Sequence, residues 1–178
     1  MSIYTKSGDL GETSLLNGGR FSKSDQYFYV LGTLDELNAF LGLFYSSRKP
    51  EVKKVINEIQ HDIFELGALV ANPNSTEVEL STFAEKISRI EDSIDKFDSK
   101  LPKLQNFILP SGSVYSVYLH LSRAICRRLE REFLRFCETS EKYKIVLPYI
   151  NRISDLLFVL ARYVNFKLGI VDEIWKKR

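Results

Sequence analysis

Two cysteines, two histidines, one tryptophan, one methionine and five prolines are all that the 178 residues hold of these types. Each scarcity removes a class of chemistry. Cys126 and Cys137 fall in a stretch whose spacing reads as one helix. Eleven residues at about 1.5 Å each separate them by about 16 Å, beyond the reach of a disulfide. His61 and His120 are the only imidazoles, and no Cys/His cluster offers zinc-site spacing. Charge of one sign is also scarce: 25 Lys+Arg against 23 Asp+Glu leave +2, too balanced to mark a nucleic-acid or anionic membrane surface. No apolar run approaches the roughly 18–20 residues of a membrane span. The first residues, Met1-Ser2-Ile3-Tyr4-Thr5-Lys6, lack the apolar stretch of a signal peptide, so a cytoplasmic location is expected. What the chain has in quantity is core material, 44% hydrophobic and 12% aromatic. That composition excludes a disordered or collagen-like chain and suits a single domain over residues 1–178.

Glycine and proline divide the chain unevenly. Gly8, Gly11, Gly18 and Gly19 crowd the first nineteen residues among Thr5, Lys6, Ser7, Asp9, Thr13 and Ser14, which reads as a loop or short hairpin. This arm occupies residues 1–25. From residue 26 to 178 helix-length segments take over, about 26–47, 51–71, 80–99, 113–140 and 146–168, with the prolines between them or in a first turn. The second segment carries Val52, Val55, Ile56, Ile59, Ile63, Leu66 and Val70, and the third Phe83, Ile87, Ile90, Ile94 and Phe97; steps of three and four define apolar stripes. The linkers are short enough for antiparallel neighbours. The expected fold is an all-α, up-and-down five-helix bundle with a non-helical N-terminal arm.

The fourth segment is the most informative. At 100° per residue, Tyr118, Leu121, Ile125, Leu129, Phe133 and Phe136 share a core face. Opposite them Arg123, Arg127 and Arg131 recur every four residues, with His120 one turn before and Arg128, Glu130 and Arg135 alongside. Such a row repels itself unless an anion or acidic surface lies against it, and guanidinium forks match phosphate or carboxylate oxygens. A solvated basic face is the plainer alternative. In the fifth segment Asn151, Asp155, Phe158 and Arg162 share one narrow face. That suits the wall of a polar cleft, a subunit interface, or a salt bridge from Asp155 to an arginine of the fourth helix. The arm packs backbone N–H groups, hydroxyls and Lys6 into a few residues, with Lys23 downstream. Phosphate cradles use these parts, although the arm has no GxxxxGK[ST] pattern and reads equally as a polar tail. Phe107-Ile108-Leu109-Pro110-Ser111-Gly112-Ser113 reads as a buried linker ending in a helix cap, or as a loop presenting Phe107 to a ligand.

Taken together these places resemble a known family. The chain is similar to the PduO-type ATP:cob(I)alamin adenosyltransferases through five stretches in order: Tyr4-Thr5-Lys6-Ser7-Gly8-Asp9-x-Gly11-x-Thr13, Gly32-Thr33-Leu34-Asp35-Glu36-Leu37-Asn38, Phe107-Ile108-Leu109-Pro110-Ser111-Gly112, Arg123-x-x-Cys126-Arg127-Arg128-x-Glu130-Arg131, and Tyr149-Ile150-Asn151-Arg152-Ile153-Ser154-Asp155-Leu156-Leu157-Phe158. The resemblance implies a homotrimer with ATP held between subunits. It places nucleotide contacts on Thr5, Lys6, Ser7, Gly8, Asp9, Thr13, Ser14 and Lys23 of the arm and on Arg127, Arg128, Glu130, Arg131 and Asn151 of the helices. It also implies an Asp35–Arg123 pair across the subunit boundary and a corrinoid contact at Phe107, the aromatic that helps displace the lower axial ligand. Ser7, Gln26 and Ser111 stand where many members carry Thr, Arg and Gly.

The implied reaction moves the 5′-deoxyadenosyl group of ATP to the cobalt of reduced cobalamin and expels triphosphate, with Mg2+ on the nucleotide. It needs reactants held in line and leaving charge stabilised, with no general base. That matches an Arg row and a chain without a convincing His or Cys constellation. An electron donor for cob(II)alamin and an adenosylcobalamin-dependent acceptor enzyme are the implied partners. The rival reading is a non-catalytic ATP-binding regulatory bundle. Nucleic-acid binding through the Arg row lacks the interleaved aromatics it would need.

Overall fold

Each helix begins where the sequence offers a capping side chain or a proline. α1 (Gln26–Gly42) starts at Asp25, whose carboxylate accepts the Tyr27 N–H at 3.1 Å. α2 (Pro50–Val70) carries its proline in the first turn. α3 (Glu77–Asp98) is closed by a reciprocal cap: Thr76 Oγ1 accepts the Glu79 N–H at 3.2 Å, and the Glu79 carboxylate accepts the Thr76 N–H at 2.6 Å. Two donors that would otherwise be orphaned are thereby satisfied. Ser113 caps α4 (Val114–Cys137) by accepting the Ser116 N–H at 3.2 Å, and Pro148 opens α5 (Leu147–Phe166). The computed structural model describes residues 4, 6–15, 18–47 and 49–177; Thr5 lies outside the described residues. The expected five-helix bundle is borne out. The first helix is shorter than expected because the chain tightens into a 3-10 turn at Leu43–Ser46.

The arm is a hairpin. β1 (Glu12–Leu15) and β2 (Gly18–Ser22) pair antiparallel, Glu12 opposite Ser22 and Ser14 opposite Arg20, with a bulge between Ser14 and Leu15. Gly18 and Gly19 hold φ near +84° and +83°, a region open to glycine at no steric cost. The Phe21 ring lies 6.1 Å from Tyr27, which in turn stacks edge-on against Phe136 at 4.8 Å, so an aromatic ladder leads from the hairpin to the end of α4.

α5 lies between α3 and α4, α4 rests on α1, and α1 on α2. Ile150, Ile153, Leu156, Leu157, Leu160 and Val164 of α5 are each at most 1% exposed. Two α5 tyrosines fasten this helix to α2: Tyr149 donates its hydroxyl to Asp62, and Tyr163 donates to Glu51 at 2.6 Å. Asp62, itself buried, also pairs with Lys86 at 3.1 Å and with Arg89. A carboxylate can sit in such a place only because its charge and lone pairs are answered from three directions.

Two expected faces are corrected. On α4, Ile125, Leu129, Phe133 and Phe136 are buried as expected, but Leu121 is 44% exposed and Tyr118 only half-buried, while Leu119, His120, Ser122 and Cys126 lie inside. α4 is gripped by α1 on one side and α5 on the other, so its covered arc is wider than one stripe. Small Ser122, its hydroxyl turned onto the Tyr118 carbonyl at 2.9 Å, gives little bulk to that face. On α5, Arg162 stands about 20° around the helix from Asp155, but the two differ in burial and in partners. Arg162 is 4% exposed and donates to Asp172 and to the Pro102 carbonyl, both at 2.8 Å. Seven residues of helix put it about 10 Å along the axis from Asp155. Asp155 stays exposed, 3.6 Å from Arg152 on its own helix.

Beyond α5 the chain turns back and runs beside the stretch before α4. Ile108 and Ile174 form an antiparallel bridge, Leu109 N–H donates to the Glu173 carbonyl and Trp175 N–H to the Phe107 carbonyl, both at 2.8 Å. Asp62→Ala, which leaves Lys86, Arg89 and Tyr149 without their common acceptor, is expected to cost about 3 kcal/mol. Urea denaturation of variant and parent checks this; an unchanged midpoint contradicts the clamp.

Candidate functional site

The arm is shaped by its own cations. Lys23 Nζ donates to the Gly8 carbonyl at 2.8 Å and Arg20 Nη2 to the Ser7 carbonyl at 3.1 Å, while Arg20 also pairs with Glu12 at 2.9 Å. The Lys23 N–H donates to the Gly11 carbonyl at 2.8 Å. A side chain on Gly8 would begin 3.1 Å from Lys23 Nζ, and Lys6 adopts φ 59°. The loop from Lys6 to Gly11 is thus folded under two cations, with Lys6, Ser7, Asp9 and Ser14 exposed and Gly8 and Thr13 half-buried. The loop's own carbonyls take up these charges, and the Asp9 and Gly11 N–H groups donate to the Lys6 and Gly8 carbonyls at 3.4 and 3.3 Å.

A second group lies on the wall that α4 and α5 form together. Asn151 Nδ2 donates to Glu130 Oε1 at 2.9 Å, and Arg152 Nη1 donates to Asn151 Oδ1 at 2.9 Å. Arg131 turns its fork back onto the Arg127 carbonyl at 3.0 Å. Arg128 is paired with Glu36 of α1, a partner that sequence spacing could not disclose. Arg127 is exposed, and among the described residues its guanidinium makes no hydrogen bond or ion pair. Arg123 is half-buried and its Nε, wholly covered, has no partner. Burial, and after it the Arg127 charge, lowers the pKa of Arg123 below the usual arginine value.

The remaining residues fall elsewhere on the surface. Asp35 is exposed on α1 at the rim of an apolar hollow of about 320 Å³ between α1 and α2, lined by Leu31, Ile63, Phe64 and Ala68 among others. Neither Asp35 nor Arg123 has an ion-pair partner among the described residues, so within one chain the two do not meet. Phe107 is 80% exposed beside Trp175 at a cleft of about 490 Å³. The C-terminal residues Glu173, Ile174 and Trp175 join this stretch through backbone contacts across more than sixty residues.

The imidazole and thiols of α4 are held in their uncharged forms. Burial, with the Arg123 charge second, brings the His120 pKa down to about 4, and its covered Nδ1 has no partner. Burial pushes the Cys137 thiol up to about 11 and the Cys126 thiol higher still, with Cys126 Sγ donating to the Ile150 carbonyl at 3.3 Å. No group of three His, Cys, Asp or Glu side chains arranged to hold a metal ion occurs among the described residues. No helix there is long and apolar enough to cross a membrane.

A family model described as cobalamin adenosyltransferase matches residues 3–164. The chain belongs to that family. It is 41% identical to the corrinoid adenosyltransferase MMAB of Bos taurus over 184 residues, covering 98% of this chain and 76% of the relative. It is 38% identical to the corrinoid adenosyltransferase of Bacillus subtilis over 182 residues, covering 99% and 93%. Among solved structures, a variant PduO-type ATP:corrinoid adenosyltransferase from Lactobacillus reuteri complexed with cobalamin and ATP superposes with a TM-score of 0.88 at 29% identity, over 99% of this chain and 100% of that one. A second variant from the same organism, complexed with ATP, gives a TM-score of 0.84 at 29% identity over 98% and 100%. The family, the fold and the transferase chemistry expected from the motifs are borne out.

His120 carries a pH prediction for this family member. Its folded pKa of about 4 lies below the 6.5 of a free imidazole, so as pH falls the unfolded chain takes up the proton first. Stability from this group is therefore whole above pH 6.5 and lost between about 6.5 and 4, on the order of 2 kcal/mol. His120→Gln is expected to flatten that part of a urea-stability profile; an equally steep decline contradicts it.

Proposed function

We propose that the chain transfers the 5′-deoxyadenosyl group of ATP to the cobalt of a reduced corrinoid, releasing triphosphate, within a homotrimer whose nucleotide sites lie between subunits. The observation that carries this reading is the state of the arginine row. Arg128 and Arg135 are neutralised by Glu36 and Glu132, whereas Arg127 projects an unengaged fork next to the Glu130–Asn151 pair. A cation not engaged by a counter-charge is available to the negative charge that develops on a departing triphosphate. Arm and bundle, residues 1–25 and 26–178, act here as one domain.

In this reading Lys6, Ser7, Gly8, Asp9, Thr13, Ser14 and Lys23, together with Thr5, wrap the phosphates, and Arg127, Arg128 and Arg131 close on them from a neighbouring subunit. Glu130, whose carboxylate would repel phosphate, faces the adenosine end with Asn151, where ribose hydroxyls can donate to it. Mg2+ arrives on the nucleotide, held mainly by phosphate oxygens and water. The cobalt electron pair forms the new bond to the 5′ carbon while the carbon–oxygen bond to triphosphate breaks, so no proton has to move and no base is required. Phe107, exposed on its bridged strand, enters the corrinoid pocket where the lower axial ligand of cob(II)alamin would sit. Excluding that ligand and water eases the one-electron reduction by a separate electron donor. The product serves an adenosylcobalamin-dependent acceptor enzyme. Two buried free thiols suit the reducing cytoplasm.

The subunit boundary is supported by two groups without an ion-pair partner among the described residues: exposed Asp35 beside an apolar hollow, and half-buried Arg123. Pairing them across the boundary gives each a counter-charge. Asp35→Arg is expected to shift the trimer towards monomer in sedimentation experiments, and Arg123→Asp in the same chain to restore it. Failure of the double exchange contradicts this pairing.

An anaerobic optical assay with magnesium-ATP and chemically reduced cob(I)alamin tests the activity. Conversion to adenosylcobalamin is expected, and Arg127→Ala is expected to lower kcat by about 10²-fold or more with fold and trimer intact. ATP binding without conversion by the parent chain would favour the regulatory bundle.

A further inference from the structure

We infer that Asn165, in the last turn of α5, is a positioning residue that sets where Phe107 stands relative to the arginine helix; this rests on the corrinoid role proposed for Phe107. Asn165 is 2% exposed and its amide is engaged through both its oxygen and its nitrogen. Its Oδ1 accepts the Ser113 N–H at 3.0 Å, and its Nδ2 donates to the Ser111 carbonyl at 3.0 Å. One planar group therefore grips the loop on both sides of Gly112. The fit is close enough to dictate the residue there: a side chain on Gly112 would begin 2.3 Å from Asn165 Nδ2, and Gly112 has φ +105°. Ser113 is also the cap of α4, and Ser116 Oγ donates to the same Ser111 carbonyl at 3.3 Å. The amide thus joins the end of α5, the start of the helix bearing Arg123 and Arg127, and the strand leading from Phe107.

The main chain of Asn165 acts on the other flank. Its carbonyl accepts the N–H groups of Leu168 at 2.9 Å and Ile170 at 3.0 Å, closing the turn through Gly169, φ +70°, that sends the tail back. That tail supplies Glu173 and Trp175, which hold Leu109 and Phe107 by their backbones. Phe107 is itself untouched by Asn165, yet both supports of its strand start from this residue. An apolar side chain at 165 leaves the Ser113 N–H without its acceptor and the Ser111 carbonyl with Ser116 Oγ alone, which the loop relieves by moving.

The test uses the full-length protein with magnesium-ATP and cob(II)alamin, reading by electron paramagnetic resonance the fraction of cobalt freed of its lower ligand. Parent, Phe107→Ala, Asn165→Ala and Gly112→Ala are compared. Gly112→Ala pushes on the amide from the loop side and removes no side chain from α5, so it covers the event that Asn165→Ala folds poorly. Both loop variants are expected to lower the ligand-free fraction at least fivefold and kcat similarly, with ATP affinity within about twofold of the parent. Hydrogen exchange at Leu109 and Ser113 is expected to accelerate at least tenfold. Unchanged exchange, or accelerated exchange with a parental cobalt signal, overturns the positioning role while Phe107→Ala still reports on Phe107. A parental signal in Phe107→Ala overturns the reading of Phe107 itself, and the inference falls with it.

Discussion

α5 is covered by α3 and α4 over most of its circumference, and water reaches little of it. The polar groups it buries must therefore be answered by protein, and the answers draw other segments into place. Tyr149 finds Asp62 and Tyr163 finds Glu51, so α2 is aligned from two points. Arg162 finds Asp172 and the Pro102 carbonyl, tying the tail to the linker after α3. Asn165 finds Ser111 and Ser113, and Asn151 finds Glu130. Hydrophobic burial supplies the driving force for this arrangement, but the obligation to pair buried polar groups is what makes it specific. The positions of the candidate site follow from one helix's isolation from solvent.

The same isolation governs charge. The α4–α5 wall keeps His120 neutral at physiological pH and both thiols protonated, removing the usual nucleophiles and bases, while arginine retains its charge under conditions that silence imidazole. What is left is arginine charge, hydrogen-bond donors and the carboxylates of Glu130 and Asp155. The arginines of such a surface can bind and stabilise an anion without moving a proton. Chemistry in which an already strong nucleophile attacks carbon and expels a polyphosphate asks for just this.

Much of the fold was legible because its signals are local. Asp25, Thr76, Ser113 and the prolines mark helix starts within a few residues, and the stripes of α2 and α3 have a single covered side. The reading failed where one residue answers to several elements. Leu121 and His120 exchanged places with expectation because α4 has neighbours on two sides, so a single stripe does not describe it. Arg162 shares its angle with Asp155, but the tail that returns with Asp172 encloses the one and leaves the other exposed, which no local pattern discloses. The site residues were legible as motifs, and Glu130 with Asn151 do meet. The motifs carry no distances, however: Glu36 beside Arg128, Trp175 beside Phe107 and Asn165 beneath Gly112 arise from contacts between remote parts of the chain.

The bridge between Ile108 and Ile174 has a consequence in time. The helices meet their neighbours through contacts that many residues share, so the bundle can assemble cooperatively. The bridge closes a span of sixty-six residues with a few backbone hydrogen bonds, a poor return for the chain entropy it removes unless the helices have already brought its ends together. It is therefore among the last features to form on folding and among the first to open on warming. A sample can show its full helical signal while the strand bearing Phe107 is still unmade, which separates being folded from being ready to work.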